Sequence, residues 1–232
     1  MTPIDRDELT SGSLRTPRAA AIAGILFALM LTAALALVRL ATPSDPRDAG
    51  AWLADPSRRR MIVVALNLVP FAGIAFLWFI GVIRDRIGKR EDRFFATVFL
   101  GSGLLFVAML FVASAVMAGV LASMAARAGG PTDVSAFGGR IGALVMRTYA
   151  MRMAAVFTVS TSTIGLRTGF IPRWLGFSGY AIALVLLLVI DVTPWVELLF
   201  PFWILLLSLD TLVKSLTERR AEGDAPSRAS QP

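Results

Sequence analysis

Residues 61–83 read MIVVALNLVPFAGIAFLWFIGVI, twenty-three positions without one Asp, Glu, Lys or Arg. An α-helix rises 1.5 Å per residue, so about 20 apolar residues cross a hydrocarbon core roughly 30 Å thick. In lipid every backbone amide has to be satisfied internally, which makes the helix the expected spanning form. Charge begins at once on both sides, with Arg58, Arg59 and Arg60 before the stretch and Arg84 after it. Such a segment predicts a membrane chain.

The same pattern recurs outward from it. Apolar blocks at about 19–38, 94–124, 141–166, 174–190 and 195–213 join 61–83, and the charges fall between them. Of the 232 residues 56% are apolar and 17% charged, against about 25% charged in a soluble domain. Mean hydropathy is +0.70. The expected fold is all-α: a polytopic transmembrane bundle of six spans over 19–216, between polar tails at 1–18 and 217–232 that are expected to be disordered. The first block follows Arg15 and Arg18, but its apolar run is longer than the roughly 7–15 residues of a cleaved signal peptide, so an uncleaved anchor is expected. Breakers stand where ends are needed: Pro43 and Pro46, then Gly129, Gly130 and Pro131, then Gly169 and Pro172, then Pro194. Gly suits the position after a helix and Pro the first helical position. The third block, 31 residues long, would extend about 46 Å and so has to tilt or protrude.

Orientation follows from the basic residues. With the N-terminus inside, the inner side holds fourteen Lys and Arg and the outer side seven, with Arg147 and Arg152 inside the fourth block. That asymmetry predicts N-in, C-in. The outer Arg58–Arg60 triplet runs against it. The net charge of +7 is what cytoplasmic loops collect, so nucleic-acid binding is not expected. The run 84–93 is the densest charge cluster, suited to anionic lipid headgroups.

Absence narrows the chemistry. With no Cys and no His, the chain has no disulfide, no thiolate or imidazole metal site and no Ser-His-Asp triad. No cofactor is expected.

Several residues are candidates for a site or an ion pair. Arg147 and Arg152 interrupt an apolar run, where charge is costly and suggests function; snorkelling to the outer headgroups is the plainer alternative. Asp191 and Glu197 flank the hairpin between the last two blocks, and the expected contact is an outer-leaflet pair between Arg152 and Glu197, with Thr193 as a cap. Thr158, Thr161 and Ser162 form a small polar stripe at helical spacing, suited either to a hydrated path or to helix packing with back-bonded hydroxyls. Asn67 and Pro70 lie mid-block in 61–83: Pro70 should kink the helix, and Asn67 suits an interhelical hydrogen bond. Gly101-Ser102-Gly103 and the Ala115/Gly119 pair suit close helix approach. Asp210 and Lys214 have the favourable i,i+4 order. Trp174, Trp195 and Trp203 suit interfacial or near-interfacial positions, with Trp203 deeper.

The stretch from Leu166 to Gly176, LRTGFIPRWLG, resembles an Arg-x-Gly-x-Ile-Pro-Arg-Trp-Leu-Gly element of uncharacterised bacterial multi-span membrane proteins. There it joins two membrane helices in a tight cytoplasmic turn. The resemblance implies the same role for Arg167, Gly169, Pro172, Arg173 and Trp174, and a bacterial cytoplasmic membrane; it implies no activity.

Three function classes follow. An accessory or structural membrane protein without catalytic activity, held by the bilayer and by a membrane protein partner or a second copy, is the expectation. A small transporter or channel using the polar groups of the second and fourth blocks is the alternative. An intramembrane enzyme is remote, because His, Cys, a paired-Asp protease motif and a carboxylate cluster for a metal are missing.

Overall fold

The computed structural model describes residues 16–42, 55–87, 93–125, 133–189 and 193–223. Among them the order is α1 (Thr16–Ala41), α2 (Pro56–Ile87), α3 (Arg93–Ala125), α4 (Asp133–Leu144), a π-helical segment (Val145–Ala150), α5 (Met151–Thr168), α6 (Arg173–Leu188), a 3-10 turn (Pro194–Leu198) and α7 (Leu199–Gly223). Strands are absent among the described residues.

Local chemistry sets the ends. Asp55 opens α2, its carboxylate accepting the Ser57 N–H at 2.8 Å, and Pro56 takes the first helical position, where a missing N–H costs nothing. Gly169 closes α5 at φ +73°, the left-handed conformation that glycine adopts without a Cβ clash. Pro172 is extended, and its carbonyl accepts the Leu175 and Gly176 N–H groups at 3.1 Å each. Thr193 precedes the 3-10 turn without a side-chain cap; its backbone carbonyl takes the Val196 N–H at 3.2 Å instead.

The first three apolar blocks lie inside α1, α2 and α3. The fourth is broken into α4, the π segment and α5, and the sixth starts as the 3-10 turn and runs on in α7 to Gly223. Helical structure thus reaches past the expected tail boundaries at 18 and 217. Among the described residues four helices are long and apolar enough to cross a membrane: Arg18–Ala41, Pro56–Arg84, Phe94–Met124 and Trp195–Thr217. That is fewer than the six expected, for physical reasons. The 18 residues of α5 include Arg152, Arg167 and six hydroxyl residues. The 16 residues of α6 rise only about 24 Å.

The core is aromatic. Phe27 of α1, Phe76 of α2, Phe106 of α3, Phe157 of α5 and Phe200 of α7 are all fully buried. Their rings are 4.4 Å apart for Phe27–Phe76, 5.0 Å for Phe76–Phe157 and 5.0 Å for Phe106–Phe200, within the range where tilted and edge-on pairs attract. α1 packs most extensively on α2, then on α7; α5 packs on α6 and α3. Two close approaches are built the same way. A Cβ at Gly24 of α1 would run into the Ser208 hydroxyl of α7 and the Phe79 ring, and one at Gly179 of α6 into the Ser162 hydroxyl of α5 and the Trp203 ring. Neither serine hydroxyl has a hydrogen-bond partner, so each rests on a glycine backbone, the setting of a weak Cα–H···O contact. Trp203 is fully buried; its indole N–H donates to the Leu175 carbonyl at 3.1 Å.

Candidate functional site

Three charged groups from separate parts of the chain meet at one end of the bundle. Glu197, in the 3-10 turn before α7, has a side chain only 3% exposed. Arg39, in the last turn of α1, places Nη2 2.6 Å from its Oε1. Arg147, in the π segment, places Nε 3.6 Å from the same oxygen. A carboxylate shared by two guanidiniums ties three separate parts of the chain together. Arg39 also suits its own helix, because a cation at a C-terminus complements the macrodipole.

The expected Arg152–Glu197 pair does not form. Arg147, not Arg152, takes the place beside Glu197. The π segment, with its Met151 N–H reaching back to the Met146 carbonyl, adds a residue to the turn that carries Arg147. Arg152 is half-buried on α5 and in no ion pair among the described residues. Arg39 was not among the expected site residues. Its place at the end of the first apolar block, on the same expected side as the hairpin of Glu197, was the available signal. Asp191 lies outside the described residues.

The polar stripe is buried in α5 and turned onto its own backbone. Thr158 Oγ1 donates to the Ala154 carbonyl at 2.8 Å and Thr161 Oγ1 to the Phe157 carbonyl at 2.7 Å, while Ser162 sits against Gly179. Asn67 is exposed on the outside of α2, its Nδ2 donating to the Val63 carbonyl at 2.8 Å in the same helix; the expected interhelical bond is not made among the described residues. Pro70 is exposed as well.

At the opposite end, the turn between α5 and α6 also reaches α3 and α7. Arg167 stacks its guanidinium 4.9 Å from the centre of the Phe95 ring of α3, a cation–π contact. Lys214 of α7 pairs with Asp210 at 2.8 Å and donates to the Phe170 carbonyl of the turn at 3.0 Å. Ile171 is buried, whereas Arg173 and Trp174 are exposed. A cavity of about 10 Å³ lies beside this turn, lined by Ala20, Ala21, Phe79, Ile83, Phe170 and Thr211, room for one water at most. Among the described residues no group of three or more acids is placed to hold a metal ion.

No known protein family, characterised protein or solved structure matches the chain.

Proposed function

We propose that the chain is an accessory or structural component of a bacterial cytoplasmic membrane, without catalytic activity, crossing it six times with both ends inside. In this arrangement α4, the π segment and α5 make one crossing and the short α6 the next. The turn at Gly169 lies on the cytoplasmic side with the basic run 84–93, which meets anionic headgroups. The Arg39–Glu197–Arg147 group then sits near the outer surface and serves as a clasp.

One observation carries the choice of a structural role over transport. The middle of the bundle, where a substrate would bind, is filled by Phe27, Phe76, Phe106, Phe157 and Phe200, all fully buried. The polar groups that a path would need diverge instead. Asn67 faces outward, Thr158 and Thr161 are bonded to their own helix, and Glu197 is at one end.

The test is reconstitution into sealed vesicles loaded with a pH-sensitive or chloride-sensitive dye. Protein-containing vesicles are expected to leak no faster than empty ones, while the Glu197→Gln variant loses thermal stability. Protein-dependent flux that the same variant abolishes without loss of stability would instead establish a conduit. A single feature favours that second possibility: π-helical turns concentrate at functional sites, and this one carries Arg147.

A further inference from the structure

The outer face of α2 is unusual for a lipid-facing surface. Between Met61 and Ile83 the polar side chains are Asn67 and Trp78, and both are exposed, alongside Pro70, Phe71 and Ile74. Asn67 lies three residues from the centre of the Pro56–Arg84 span, about 4.5 Å from it along the axis, so water and headgroups are out of reach. One amide N–H goes to Val63. The second N–H and Oδ1 have no partner among the described residues, a costly state in hydrocarbon.

The neighbouring helix supplies a second, separate feature at the same depth. α2 and α3 run antiparallel, with Ile80 against Gly103 and Gly73 against Phe111, and with Ile62 and Leu121 in one cluster. Asn67, between Ile62 and Gly73, is therefore level with the part of α3 between Leu121 and Phe111. There α3 turns Ala115 and Gly119 outward, the latter with no other described atom near the position of a Cβ, and just beyond that stretch Ala108 and Ala122 continue the exposed row at seven-residue spacing from Ala115. Seven-residue spacing keeps one seam facing a partner helix, and small residues let two backbones approach. The Ala115/Gly119 pair is thus exposed among the described residues.

We infer that the α2–α3 face is the interface of a homodimer in the membrane, with the Asn67 amides of two copies hydrogen-bonded to each other across a two-fold axis. The amide names the partner. It carries a donor and an acceptor side by side, so it is its own complement under two-fold symmetry, where one patch meets an identical patch. The flanking residues are uncharged and demand no oppositely charged partner. The inference rests on the bundle lying in a membrane, as proposed above.

The chain has no cysteine, so single cysteines report contacts directly. Ala115→Cys and Ala108→Cys are expected to cross-link into dimers in native membranes, and Leu184→Cys, exposed on α6, to stay monomeric. In liposomes, with copies counted by single-molecule photobleaching, Asn67→Val is expected to raise the dimer dissociation constant about 3- to 30-fold, the span of one membrane hydrogen bond. Asn67→Gln is expected to recover most of it, and neither variant to change the melting temperature of the detergent-solubilised monomer. Cross-linking at Ala115→Cys no greater than at Leu184→Cys, or an unchanged dimer fraction in Asn67→Val, overturns the interface. A purified chain that stays monomeric while Asn67→Val dissolves a complex with a different membrane protein overturns self-association. Release from membranes by alkaline carbonate overturns the membrane reading and the dimer with it; retention without cross-linking overturns the dimer alone.

Discussion

The buried carboxylate of Glu197 makes the sharpest demands of any side chain here. Removing its charge leaves two guanidiniums facing one another, though each keeps about a quarter of its side-chain surface exposed (23% for Arg39 and 28% for Arg147). Glu197→Gln is therefore expected to destabilise the protein by about 1–3 kcal/mol rather than the larger loss of a wholly buried pair, read as a lowered melting temperature in mild detergent. Arg39→Gln is expected to lower it as well, because Arg39 Nη2 lies 2.6 Å from the carboxylate. Arg152→Ala, outside this group, should leave the melting temperature nearly unchanged. An Arg152→Ala loss equal to that of Glu197→Gln would reject the assignment. Sequence separation explains why Arg39 was illegible as the partner: it and Glu197 are 158 residues apart, and no local spacing rule connects them. The Asp210–Lys214 pair, four residues apart, was legible for the opposite reason.

Among the elements, those governed by length and end chemistry were readable. The blocks at 61–83 and 94–124 lie within α2 and α3, and the Gly169–Pro172 stop and start are where the turn residues put them. The partition of 141–166 was not readable, since a π turn depends on how Arg147 and its neighbours pack and leaves no periodicity of its own in six residues. Helix contacts through Gly24 and Gly179 give the element-scale prediction. Gly24→Ala and Gly179→Ala are each expected to cost about 1–3 kcal/mol through overpacking. Ser162→Ala and Ser208→Ala, which delete hydroxyls with no hydrogen-bond partner, should be nearly neutral. Chemical denaturation of the four variants in one detergent separates the two classes. Gly169→Ala should cost about 1 kcal/mol for another reason, the positive φ of 73°.

At the scale of the molecule the phenylalanine cluster joins five helices, so its loss is felt everywhere. Phe76 sits within 6 Å of Phe27, Phe79, Phe106, Phe157 and Phe200 by ring centres. Phe76→Ala is expected to destabilise by about 3–5 kcal/mol. Tryptophan fluorescence and far-UV ellipticity should fall together in that variant; separate transitions would mean that the bundle unfolds in independent parts. An apolar bundle was evident from the block pattern. The meeting of these particular rings was not, because each block offers several phenylalanines and only the packing of the helices selects among them.

The clasp at Glu197 has a consequence for how the chain is made. Arg39 leaves the ribosome long before its counter-ion: at 5–20 residues per second, 158 residues take roughly 8–30 s. For that interval the first helix holds a guanidinium whose carboxylate has not yet been synthesised, and the arrival of the final helix completes the arrangement. A chain that terminates before residue 197 would keep that unmatched charge permanently, a mark by which an unfinished product differs from a finished one.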